Sequence, residues 1–358
     1  MSFNKKILST MLCTVIVMPG TASAYEIIGK KLEIYGKAHL SVDVSDNDRA
    51  APNDQSDTSI SSNSSRLGFK GQHDINENLG IVYKIEQEIK IDQGDGTFAT
   101  RNAYVGVKGS FGTLLAGQHD TPFKDVAGKW GMFGDTIADR RAILGASALD
   151  GNKMNQRGKN SLLYISNFGG PVELRAMYST DASDEASDAL DDNENDLFSA
   201  SLTYKTKKLR VGAAYEDWEN LDGKFGQVDG WRVAGSYDFG MFKAGLIYES
   251  LDSDDSPQFD RDAWGINGSF KIARNTKIKA QYIVVDDYDG VDDSGANMAS
   301  IGLFNKLDKQ TSVYLAYTRT DNDDFAKFQG VDGGHGDEVK TDLGKTPTAF
   351  SAGLIFKF

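Results

Sequence analysis

Cysteine, histidine and proline are scarce in this chain, at one, four and six among 358 residues. The single cysteine, Cys13, lies within the first 24 residues, so no disulfide staples the remainder. The histidines (His39, His73, His119, His335) include no pair at metal-ligand spacing, and no Gly-x-Ser-x-Gly elbow occurs. The usual signs of a metallohydrolase or a serine esterase are therefore missing. Beyond the N-terminal segment no apolar run approaches the roughly eighteen residues that a transmembrane helix needs. Basic charge is short too: 39 Lys and Arg face 52 Asp and Glu, a balance of −13. Such a chain does not suit nucleic acid, whose phosphates demand a basic face. Only 39% of residues are hydrophobic, less than two soluble domains of this length would want. One domain is the simpler reading.

Residues 1–24 read as an export signal. Lys5 and Lys6 form its charged start, Ile7 to Met18 its apolar run, and Ala22-Ser23-Ala24 a small-residue cleavage site before Tyr25. Met11-Leu12 ahead of Cys13 does not fit a lipoprotein start. Cleavage would remove two lysines and no acid, moving the balance to −15 and leaving 25–358 as the mature domain.

What the chain does have is a two-residue rhythm. Phe350, Ala352, Leu354, Phe356 and Phe358 alternate with Ser351, Gly353 and Lys357, a ribbon greasy on one face. Leu32, Ile34, Gly36, Ala38, Leu40, Val42 and Val44 likewise oppose Tyr35, Lys37, His39, Ser41 and Asp43. The pattern recurs at 172–179, 198–205, 209–216, 242–249 and 277–284, with less tidy copies between. About sixteen strands result, each near the length of a tilted membrane strand. Short turns alternate with long polar loops, Asp46–Ile60, His119–Gln156, Asp181–Glu194 and Asp321–Lys345 among them, with Asp92–Thr97 the short exception. Tyr178, Tyr215, Tyr248, Tyr282 and Tyr317 precede long loops, while Phe239, Phe270, Phe304 and Phe358 sit at the opposite strand ends. Two aromatic bands are what lipid headgroups select. The fold expected is an all-β, antiparallel, up-and-down transmembrane barrel. An open edge in hydrocarbon costs several kcal/mol per unpaired amide, so the first and last strands must pair. Polar inward faces imply a lumen filled with water.

The 119–156 connection stands out. A loop of this length without regular structure is functional or disordered as a rule. Phe123, Trp130, Phe133, Ile137, Ile143 and Leu144 suit packing rather than solvent, and the lumen is the available place. Folded inward, it would narrow the pore.

The motifs Glu33-Ile34-Tyr35-Gly36-Lys37, Ser65 to Gly71, Arg101 to Gly112 and Arg157 to Tyr164, with the terminal Phe358, resemble the general diffusion porins of the Gram-negative outer membrane. The resemblance implies a sixteen-stranded homotrimer in the outer membrane, passing small hydrophilic solutes and ions passively, with no cofactor or metal. It places a basic wall ladder on Lys37, Arg66, Arg101 and Arg157, facing acids of the third loop. It also makes Phe358 the signal for the outer-membrane barrel assembly machinery. For Lys37 and Arg66 the alternation agrees, since a basic group facing mid-bilayer lipid costs about 2–4 kcal/mol. The loop departs from the family pattern, reading Gly131-Met132-Phe133-Gly134-Asp135 without the usual Pro-Glu. Asp135 is the best retained acid, followed by Asp139 and Asp125, while Lys129, Arg140 and Arg141 add positive charge. Three rivals stay open: a solute- or anion-specific channel, an adhesion protein whose acidic loops bridge lipopolysaccharide through divalent cations, and an outer-membrane enzyme.

Overall fold

The computed structural model describes residues 25–26, 31–49, 56–93, 99–166, 168–182 and 195–358. The expected export signal, residues 1–24, lies outside them, as do most of the Asp92–Thr97 and Asp181–Glu194 loops.

Alternating residues commit each segment to one apolar and one polar face, and lipid then forces every backbone amide into a ladder. Sixteen antiparallel strands meet that demand. They are β1 (Glu33–Asp46), β2 (Ser56–Ser62 continuing as Arg66–Asn76), β3 (Leu79–Glu88), β4 (Ala99–Gly109), β5 (Gly112–Asp120), β6 (Arg157–Ile165), β7 (Val172–Ser179) and β8 (Leu197–Lys205). Then follow β9 (Leu209–Trp218), β10 (Val228–Asp238), β11 (Phe242–Asp252), β12 (Arg261–Lys271), β13 (Thr276–Val285), β14 (Ala296–Lys306), β15 (Thr311–Asn322) and β16 (Thr348–Lys357). Each pairs with its neighbours in sequence, and β16 closes on β1 from Lys37↔Lys357 to Asp46↔Thr348. No helix among the described residues is long and apolar enough to cross a membrane.

The alternation holds in space. Val42, Val44, Leu246, Leu303 and Leu354 face outward, whereas His39, Ser41, Asp43, Ser201 and Ser300 are buried inside. Three expectations need correction. Ser56–Ser62 pair with β1, so the Asp46–Ile60 connection is shorter than its polar composition suggests. Phe304 points inward, stacked on Tyr314 with ring centroids 5.2 Å apart, and is not part of the outer aromatic band. Finally, the lumen is not water throughout. Met177, Leu197, Trp218, Ile247, Ile283 and Met298 hold inward positions and are buried, because the third long loop packs on them.

That loop is also more regular than expected. Helix α1 (Pro122–Trp130) opens it, with Pro122 in its first turn and the Thr121 hydroxyl accepting from the Lys124 amide at 3.2 Å. Phe123, Val126, Ala127 and Trp130 form its buried face, laid against the inner wall of β8 to β11. Phe133, Ile137, Ile143 and Leu144 follow, all at most 1% exposed.

Candidate functional site

Neighbouring strands of the opposite wall carry charge. Lys37 on β1, Arg66 on β2 and Glu86 on β3 fall on the inward parity. On β4 a bulge intervenes: Ile85 pairs with Ala103 but Gln87 with Thr100, leaving one extra residue on β4. Two consecutive side chains thereby reach inward contacts. Arg101 donates to Glu86 and Glu88, both at 2.9 Å, and Asn102 to Asp120 at 2.9 Å. Glu86 is the hub of this wall. It accepts from the Tyr35 hydroxyl (2.7 Å) and lies 3.2 Å from Lys84, 3.6 Å from Arg66 and 2.9 Å from Arg101.

The third loop delivers Asp135 onto this wall. Its φ of 60° is a left-handed conformation that aspartate tolerates, and its amide donates to Asp139 at 2.7 Å. The carboxylate lies 2.7 Å from Lys37, 3.4 Å from Arg66 and 3.0 Å from Arg141. Burial raises its carboxyl, but Lys37, Arg141 and Arg66 more than offset this and hold it well below the usual carboxylate range. Arg141 in turn grips Asp139 at 2.6 Å. Wall cations and loop acid are thus directly paired rather than opposed across open water.

The other expected residues lie elsewhere. Arg157 on β6 reaches Asp120 (3.2 Å), the last residue of β5, and Asn102 (3.1 Å), and does not meet Asp125, Asp135 or Asp139. Asp120 also takes Lys124 at 2.8 Å, whose ammonium burial pulls down to about 8 against that attraction. Asp125 pairs with Lys129 (3.2 Å) and with Arg175 of β7 (3.3 Å). Arg140 is buried in the loop, 3.7 Å from Asp139. Phe358 lies at the β1–β16 seam, its carbonyl accepting from the Gly36 amide at 2.9 Å.

Two features escaped the sequence reading. One is the acidic share of the wall, Glu86 and Glu88, which the parity of Val82-x-Lys84-x-Glu86-x-Glu88 against Ile81, Tyr83 and Ile85 could have revealed. The other is the anchor of the third loop. Arg232, Glu249 and Arg261 are all essentially buried on inward positions of β10, β11 and β12. Arg232 and Glu249 are cross-strand partners joined by a charge-assisted hydrogen bond of 2.8 Å. Glu249 also accepts from the Gly145 amide at 2.7 Å. Arg232 donates to the Phe123 carbonyl (3.0 Å) and lies over its ring, while Arg261 donates to the Ile143 and Ala146 carbonyls.

Between the loop and the wall remains a cavity of about 580 Å³. Arg101, Lys124, Arg141, Arg157 and Lys159 line it, against the single carboxylate of Glu88. Gly333, from the last long loop, also borders it.

The profile of a family described as Gram-negative porin matches residues 9–324. A monosaccharide porin from a Halomonas species and the major outer membrane protein of Halomonas elongata are each 26% identical over 268 residues, spanning 70% of this chain and 71% of theirs. Among solved structures, an anion-selective porin from Comamonas acidovorans superposes with a TM-score of 0.77 at 20% identity, over 92% of this chain and 99% of that one. The outer membrane protein OmpT of Vibrio cholerae, in its trimer form, gives 0.68 at 22% identity, over 92% and 99%. At these identities the structures speak for the fold. The profile, which spans most of the chain, speaks for more: this chain belongs to the Gram-negative porin family, and is an outer-membrane barrel that forms a passive channel.

Proposed function

We propose that permeants cross beside the third loop, through the cavity bounded by Arg101, Arg157, Arg141 and Lys124, with the Lys37–Arg66–Asp135–Glu86 cluster fixing the constriction's edge. The observation that carries this is Asp135 seated between Lys37 and Arg66, which pins the loop to the wall and confines the open path to the β3–β6 side. Ions and small hydrophilic solutes diffuse along it, and charged walls of low dielectric focus the field on them. Apolar solutes are disfavoured, because they would displace water ordered by those charges. No chemistry is assigned to the site. A second reading, a path that prefers anions, takes its support from the five cations that line that cavity, four of which are paired with Glu86, Glu88, Asp120, Asp135 or Asp139.

The test is the zero-current potential of single channels under a salt gradient. Arg66→Glu and Arg101→Glu should each shift it toward cations. An unchanged potential in both would remove these residues from the path.

We infer the remaining assignments from the sequence. Residues 1–24 serve as the export signal and 25–358 form the barrel, with 119–156 as constricting loop. The working unit is a homotrimer, a reading supported by the trimer form of the Vibrio cholerae relative. Phe358 serves the assembly machinery, and rim acids meet lipopolysaccharide phosphates through divalent cations.

A further inference from the structure

The last long loop, residues 323–347, also enters the lumen, and its tip is built to lie on the constriction. The tip reads Asp332-Gly333-Gly334-His335-Gly336-Asp337. His335 places Nε2 3.1 Å from the Asp43 carboxylate and 3.5 Å from the Ser41 hydroxyl, both on β1. Asp337 accepts from the Ser61 hydroxyl of β2 at 2.5 Å, while the Gly336 amide donates to Asn63 at 2.9 Å and the Gly334 carbonyl accepts from Ser64 at 3.0 Å, both in the break between the two parts of β2. Asp332 accepts from the Asn152 amide of the third loop at 2.8 Å.

The glycines explain the closeness. A Cβ on Gly334 would lie 2.0 Å from Asp135 Oδ1 and 2.2 Å from Arg141 Nη2. One on Gly333 would lie 2.8 Å from Arg141 Cβ, and one on Gly336 would lie 2.7 Å from the Ser62 carbonyl oxygen. A larger residue at 334 would have to push the Asp135 and Arg141 side chains aside. Below the tip, Val331 and Val339 bridge each other and share a buried cluster with Ile137 of the third loop and with Tyr314, Ala316 and Ala349 of the wall. The two inward loops therefore have one core in common.

We propose that this tip is the second half of the constriction: it closes the β1–β2 side of the lumen, holds the Asp135–Arg141 pair in place, and so sets the pore's size limit. The inference rests on the path assigned above, because Gly333 borders the same cavity as Arg101 and Arg157. Gly334 and His335 are positioning residues. They act through Asp135 and through the seat on Asp43.

The experiment compares unaltered protein with Gly334→Ala, His335→Ala and His335→Gln in planar bilayers and in liposome swelling with graded neutral sugars. Gly334→Ala and His335→Ala should enlarge the conductance step and admit larger sugars, while the heat stability of the folded barrel stays as it was. His335→Gln, which keeps a donor towards Asp43, should restore the original step. Gly170→Ala, in a turn where an added Cβ meets nothing within 4 Å, is the control. A second variant guards against misfolding: Ser61→Cys with Asp337→Cys, added to His335→Ala, ties the tip to β2 when oxidised. Its step should be that of the unaltered protein when oxidised and larger when reduced. Steps and sugar limits unchanged in every variant and in both redox states would overturn the inference alone. A protein with no conductance at all would instead overturn the path on which it rests.

Discussion

Glu249 is the residue on which the third loop hangs. Its carboxylate is shared by two buried arginines and the Gly145 amide, and those arginines carry the loop's carbonyls at Phe123, Ile143 and Ala146. Removing it strands two guanidinium charges away from water, a loss of about 3–5 kcal/mol for a broken buried pair. Glu249→Ala should therefore free the loop, seen as flickering single-channel current and as new protease cleavage within 121–156. A quiet, resistant channel would show that the anchor lies elsewhere. Residues of this kind are hard to read from a sequence. Lys37 and Arg66 were legible because they sit in tidy alternation, where one face must avoid lipid. Arg232, Glu249 and Arg261 share that parity, but nothing local shows that a distant loop supplies their partners. Arg101 is harder still, because a bulge resets the parity just where it lies.

At the scale of elements, the strands were legible and the loop interior was not. Alternation recurs in about sixteen segments, some of them untidy, and the bilayer enforces it, so strand order and closure follow from the pattern, while the count of sixteen comes from the family resemblance. Helix α1 spans nine residues, is held by its packing on the wall, and carries Thr121-Pro122 and the first-turn Asp125 as its local start signals. The barrel seam shows how tightly a motif can specify an element. Gly36 of β1 lies under the Phe358 ring, and an added Cβ would sit 2.3 Å from its Cζ. Phe358 and Gly36 also exchange both backbone hydrogen bonds, at 2.9 and 3.2 Å. Gly36→Val should push the ring off the seam and cost about 1–3 kcal/mol, as overpacking does. The expected readout is unfolding of the barrel at a lower temperature, followed by its mobility shift in detergent gels. An unaltered transition would mean that the seam does not depend on this contact.

The whole molecule reconciles two facts that conflict on paper. The chain is acidic overall, at −13, yet the cavity beside the third loop is lined by five cations and one carboxylate. One acidic cluster lies at the loop ends of β11 and β12, where Asp252, Asp254, Asp262 and Asp289 surround Asp260, whose carboxyl burial and these neighbours push up. Composition could not disclose that separation, because it sums charges that the barrel holds apart. Two loops fill much of the lumen, and what they leave is a narrow charged passage with no moving part required for transport. The deciding measurement is single-channel recording of the purified protein in planar bilayers at increasing salt. A water-filled passage gives discrete steps that grow as salt is raised. A membrane that stays silent at every salt concentration would contradict the passage.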